Sequence, residues 1–165
     1  MKKSVVFIAT LIHLLPHPFG MSPIGALALY SGAHGPKPLA WSVPLVPLTI
    51  AALITGFYDP RVMICVFGGF CLATFAGRWL LRKQRSFARY GAAVALGAMV
   101  FFLLSNFGMW LYGTYPPTLA GLLACYIAGL PFLLQALVAD AAYSLVLFGL
   151  HEVLERGHED EVVPA

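Results

Sequence analysis

Arg78-Trp-Leu-Leu-Arg82-Lys83-Gln-Arg85-Ser-Phe-Ala-Arg89 is the stretch whose reading decides the fold. It carries five of the ten Lys and Arg residues of a chain that is otherwise strongly apolar. Lys and Arg collect in the cytoplasmic loops of membrane proteins, so this run is expected inside, between two spans. Every other segment is then oriented by counting outward from it. The count puts Asp59, Arg61 and the nearby Cys65 at the external side.

Composition agrees with a membrane environment. Of 165 residues, 60% are hydrophobic and 10% charged, and the mean hydropathy is +0.84. A soluble domain carries roughly 25% charged residues. An interior of this size cannot hide so much apolar side chain, so the surface itself must be apolar. The net charge of +3 is no nucleic-acid signal, because the basic residues follow the positive-inside pattern and the acids gather near the C-terminus. Cys65, Cys71 and Cys125 lie in apolar stretches with no CxxC or Cys/His metal spacing, which reads as free, buried thiols. Residues 1–15 resemble the start of a signal peptide with an A-x-A site at 26–28. Prolines and histidines, among them His13, Pro16, His17 and Pro23, interrupt the run, so it is read as a retained first span.

Taken in order, the apolar runs are residues 4–15, 24–33, 39–58, 62–77, 90–111, 118–130 and 132–154. Prolines punctuate them at 16, 18, 36, 38, 60, 116, 117 and 131, and proline lacks the N–H that a helix interior needs. The expected fold is all-α: a polytopic membrane bundle of six transmembrane helices. Residues 118–130 form a short re-entrant segment, or a seventh span if they cross fully. Trp41 and Trp79 then lie at the inner interface and Trp110 and Tyr115 at the outer one, as aromatic belts require. Residues 1–157 form one membrane domain and 158–165 a polar tail.

Ionisable groups at membrane depth are costly and mark functional candidates. Asp140 is read as a substrate or proton site, or else as the N-cap of a helix that begins at Ala139. Pro16 between His13 and His17 spoils the i, i+4 geometry of a helical metal site. His151, with Glu152 and Glu155, reads as a solvated face. Asn106 and Gln135 suit hydrogen bonds between helices. Ser22-x-x-x-Ala26 and Ala28-x-x-x-Gly32 give the second run a small-residue face, for packing inside the protein or against a partner. Cys65 lies four residues past Arg61, about 6 Å below the outer interface. A thiolate there suits a soft or borderline metal, including one inside a cofactor, while packing is its plainer role. No G-x-S-x-G, H-E-x-x-H or P-loop is present.

His13-Leu-Leu-Pro-His17-Pro-Phe-Gly-Met-Ser-Pro23-Ile-Gly-Ala-Leu-Ala-Leu resembles the first-loop signature of substrate-binding S-components of energy-coupling-factor vitamin transporters. Ser105-Asn-Phe-Gly-Met-Trp110 and Tyr115-Pro-Pro-Thr-Leu-Ala-Gly-Leu-Leu-Ala-Cys-Tyr126 resemble the distal half of that group. Within it the chain is most similar to BtuM-type cobalamin transporters. The resemblance implies a multi-pass protein of the bacterial cytoplasmic (inner) membrane, not an enzyme, that binds a vitamin from outside. Cobalamin (vitamin B12) is the leading substrate, a transported ligand rather than a cofactor of the protein. Cys65 would ligate the cobalt, with Cys71 the fallback. His17, Asp59, Arg61, Asn106, Trp110 and Tyr115 fall in or beside the loops that would roof the pocket. The expected partners are the bilayer, the vitamin and an energising ABC-type module. The first run has only Ala9 and lacks the alanine-x-x-x-alanine motif for docking on that module, which leaves room for a solitary transporter. The alternatives are an S-component for another small nutrient, an intramembrane redox or enzyme subunit using His13, His17, Asp140 or His151, and a structural partner subunit.

Overall fold

The computed structural model describes residues 3–14, 21–56, 59–84 and 86–162. Six helices follow in order: α1 (Lys3–Leu14), α2 (Ile24–His34), α3 (Lys37–Thr55), α4 (Pro60–Leu81), α5 (Phe87–Tyr112) and α6 (Leu119–Val162). No strand occurs among the described residues. Four helices, α3 to α6, are long and apolar enough to cross a membrane. Large apolar side chains cover the outside of the bundle, among them Ile54 at 73% and Ile64 at 71% exposure. Such a surface belongs in lipid, and the chain is a membrane protein.

Local chemistry sets the helix ends. Pro60 opens α4, and the Asp59 side chain accepts from the Arg61 amide at 2.9 Å, supplying one of the partners that a helix N-terminus lacks. Ser86 does the same for α5, accepting from the Arg89 amide at 3.3 Å. Gly56 closes α3 at φ 99°, a backbone conformation that favours glycine because it has no Cβ.

The basic residues Lys37, Arg82, Lys83 and Arg89 mark one end of the bundle. Asp59 and the α5–α6 loop mark the other, here called the far end. Helix α2 runs through the centre but not the full height. Its first residue, Ile24, packs with Phe70 and Ala73 at the middle of α4. Beyond its last residue, the Gly35 carbonyl accepts from Arg78 and Arg82 at 3.3 and 3.4 Å, near the basic end. Eleven residues give only about 16 Å of helix, roughly half of the ~30 Å hydrocarbon core. Helix α1, of 12 residues, joins it there: Ala9 is buried with Leu27, Leu29, Tyr30 and Leu81. The two short helices therefore fill the basic half of the bundle. The expectation of six spans narrows to four helices of spanning length.

Two glycines let α2 and α4 touch backbone to backbone. A Cβ on Gly32 would strike the Thr74 carbonyl, and one on Gly77 would strike the backbone of Leu29. The small-residue face read in the second run is thus used inside the protein.

Residues 118–130 are not a separate re-entrant segment. They belong, from Leu119, to α6, a single helix of 44 residues with Pro131 inside it. A proline removes one helical hydrogen bond, but ending the helix at membrane depth would strand several backbone groups without water. Continuing costs less. The helix also runs past residue 157 to Val162, into what the sequence reading assigned to a polar tail.

Candidate binding site

A cavity of about 450 Å³ opens between α4, α5 and α6 in the far half of the bundle. Val62 and Val66 of α4, Phe101 and Met109 of α5, and Phe132 of α6 give it mostly apolar walls. Its polar groups are Ser105, Asn106, Cys125 and Tyr115. Ser105 Oγ donates to the Phe101 carbonyl at 2.7 Å and Asn106 Nδ2 to the Phe102 carbonyl at 2.8 Å. Cys125 donates its S–H to the Asn106 carbonyl at 3.3 Å. Among the described residues, the Asn106 side-chain oxygen has a long thiol contact of 3.8 Å from Cys125. Gly129 makes room for that carboxamide, since a Cβ there would overlap it.

The mouth is shaped by Trp110. Its indole Nε1 donates to the carbonyls of Pro116 and Thr118 at 3.1 and 3.2 Å, holding the loop that carries Tyr115. Gly121 lets the loop close onto α6, because a Cβ there would meet the Pro116 carbonyl.

Deeper in the bundle, a smaller cavity of about 170 Å³ lies at the head of α2, lined by Ser22, Gly25, Phe101, Ala136 and Asp140 among others. Asp140 is 6% exposed. Its carboxylate accepts from the backbone of Ala26 and lies over Gly25, where any Cβ would overlap it. Helix α2 starts after Pro23 with no side-chain cap of its own, so α6 supplies one. Ser22 Oγ accepts from the Ile24 amide at 3.3 Å and pairs with His13 Nδ1 at 2.8 Å. A third cavity, of about 50 Å³, shares Phe101 and Ala136 with the deep one and Ser105, Asn106 and Phe132 with the larger one.

A family model matches residues 2–161. The chain belongs to DUF6580, a family of unknown function. No curated protein and no solved structure matches it. Membership of DUF6580 brings no substrate with it, so the side chains must carry the functional argument.

Of the residues singled out from the sequence, Asn106 and Tyr115 line the larger cavity and Trp110 braces its mouth. Asp59 and Arg61 stand at the far end and satisfy each other through two hydrogen bonds of 3.0 and 2.9 Å. Arg61 also lies 4.7 Å over the Tyr112 ring. The bonds from Arg61 hold the Asp59 carboxyl down at about 2. His17 lies outside the described residues. Cys65 is half-buried and packs against Gly108, where an added Cβ would stand 3.0 Å from its sulfur. It faces the α4–α5 seam; its neighbours Val62 and Val66 reach the cavity wall. Cys71 is half-buried as well. Among the described residues, no three His, Cys, Asp or Glu side chains come together as a metal-ligand set.

Two readings are corrected. Asp140 does not begin a helix at Ala139, because α6 runs straight through it; it caps α2 instead. His151 is no solvated face: it is 2% exposed. Tyr30 Oη bonds its Nδ1 at 2.9 Å and Glu155 its Nε2 at 3.0 Å, with the His34 ring 4.0 Å away. Ser22, Ser105, Cys125 and Gly129 were not singled out for the site. Gly129 and Cys125 share one face of α6 at i, i+4, a spacing that could have signalled them had the helix been read as continuous.

Proposed function

We propose that this protein is a bacterial cytoplasmic-membrane uptake protein, not an enzyme, that binds a small nutrient from the external side. One observation carries the reading. The short helices α1 and α2 fill the basic half of the bundle, while the larger cavity occupies the far half and reaches Tyr115 in the loop. With the basic end in the cytoplasm, the cavity faces outward and the floor beneath it is closed. Four helices cross, and α1 with α2 enters from the cytoplasmic side. Lys37 and the basic loop of residues 82–89 then lie inside, and Asp59 and the α5–α6 loop outside, as in the six-span count. Whether alone or with an ABC-type module, transport would require that floor to move.

The ligand class follows from the walls. A cavity of about 450 Å³ falls within the ~300–1,000 Å³ of small-molecule sites. Apolar walls with a few polar groups suit a vitamin-sized molecule held by Asn106, Ser105 and Tyr115. Cobalamin, with Cys65 on its cobalt, is the second reading, favoured by the position of Cys65 beside the wall residues Val62 and Val66. It needs α4 and α5 to part at the Cys65–Gly108 contact, because a corrinoid is larger than the cavity.

The test is a panel of vitamins, cyanocobalamin included, in equilibrium binding to the detergent-purified protein. Saturable binding of one member, lost in Gly129→Trp, is expected. If a corrinoid binds, its absorption spectrum should shift in the wild type and not in Cys65→Ser. A panel in which nothing binds more tightly than to an unrelated membrane protein would sink the uptake reading.

A further inference from the structure

Asp140 is the feature the uptake reading leaves unused. Within the membrane-spanning part of α6 it is a carboxylate at the middle of the bundle, level with Phe70 and Ala73 of α4 and Phe101 of α5. The role described so far, capping α2, accounts for only part of its capacity. An ionised carboxylate offers about four acceptor positions, and the Ala26 amide takes one. The N-terminus of a helix contributes only about half a positive charge, so the cap leaves negative charge over. No Lys or Arg lines any of the three cavities among the described residues. Apart from Ser22, which bonds His13 and the Ile24 amide, the wall around the carboxylate is apolar, with Phe70, Ala73, Phe101 and Ala136. Buried charge without a partner is expensive in such surroundings. A ligand that brings the missing cation gains the most there.

The larger cavity lies close to it. The 50 Å³ cavity shares walls with both the larger cavity and the deep one, so a ligand seated among Asn106, Ser105 and Phe132 points its inner end past Phe101 toward Asp140. We propose that the deep pocket is the subsite for a positively charged, hydrogen-bond-donating group of the nutrient, an ammonium, with Asp140 as its counter-charge. This rests on the uptake reading and narrows the substrate class to amines with an apolar body. Asp140 then has two tasks at once: it holds the head of α2 and reads the ligand.

The probe is benzylamine, a cation at neutral pH, compared with its neutral isostere benzyl alcohol, in equilibrium binding to the full-length purified protein. Benzylamine is expected to bind about tenfold or more tightly than benzyl alcohol. Asp140→Asn, which keeps an acceptor for the Ala26 amide, should abolish that preference, and Ala136→Phe, which fills the deep pocket, should abolish benzylamine binding. The comparison of the two probes in the wild type needs no variant, so it decides even where Asp140→Asn misfolds. Equal binding of both probes, or no binding of benzylamine, overturns the ammonium subsite. If the vitamin panel still shows a bound nutrient in either case, the uptake reading stands without it. A preference for the amine that survives in Asp140→Asn also overturns the assignment.

Discussion

The carboxylate of Asp140 rests on the backbone of Gly25, and it reaches the amide of Ala26 because Gly25 has no side chain. This contact ties the last helix to the head of the buried half-helix. At the other end of α2, the Gly35 carbonyl takes hydrogen bonds from Arg78 and Arg82. Negative charge at the N-terminus and positive charge at the C-terminus both oppose the helix dipole favourably. An 11-residue helix is too short to be stable by itself. Packing on all sides and clamps at both ends hold it.

Gly25→Ala should therefore be destabilising, because the new Cβ would overlap the Asp140 carboxylate. A loss of about 1–3 kcal/mol is expected, as for other overpacked sites. Asp140→Ala removes the cap and should cost about 1 kcal/mol or more. Thermal unfolding of the purified variants measures both. The double variant should lose less than the sum, since the alanine at 25 then has no carboxylate to meet.

The α2–α4 crossing makes a sharper prediction. Gly32→Val and Gly77→Val each place side-chain carbons on backbone atoms of the facing helix, which cannot swing aside as a side chain can. Each should cost about 3 kcal/mol or more, the upper end of overpacking, read as loss of monodisperse protein on size exclusion. Gly91→Ala, where nothing stands within 4 Å of the new Cβ, should behave as wild type.

Trp110→Phe keeps the aromatic ring but deletes the two bonds to Pro116 and Thr118. A stability loss of about 1 kcal/mol is expected, with the α5–α6 loop becoming the preferred site of limited proteolysis. Ligand affinity should fall with it, because Tyr115 loses its support. Unchanged cleavage at this loop would show that other contacts hold it.

Asp59 predicts a small acid-side effect. Its carboxyl is held below the ordinary 3.8, at about 2, by the bonds from Arg61. A depressed carboxyl stabilises the folded state above its ordinary value, and that stabilisation is lost as the pH falls through the folded value. The wild type should thus lose this contribution between pH 4 and 2, while Asp59→Asn should show no such step. The pair is solvent-exposed, so the step should shrink with added salt. Thermal unfolding against pH, at two salt concentrations, checks it.

Much of this was legible in the residues themselves. Hydropathy was enough for the class of protein, because transfer to lipid acts on composition segment by segment. Pro60 marked the break before α4, since proline lacks the N–H that a helix interior needs. Ala28-x-x-x-Gly32 marked a face for close packing. What that face packs against was a different matter, and only the fold chose α4.

Tertiary structure decided the rest. Pro131 reads as a stop, yet α6 continues through it, because the alternative is an unsatisfied backbone where there is no water. The second run reads as a span, yet α2 has half the height, because its ends find partners inside the bundle. Asp140 and His151 are polar residues whose partners across the bundle cannot be read from their sequence neighbours, although Glu155 beside His151 could be. One meets Gly25 and Ala26, the other Tyr30, all on a helix far away in the chain. Local sequence sets what each segment can satisfy by itself; the fold assigns the partners for what remains.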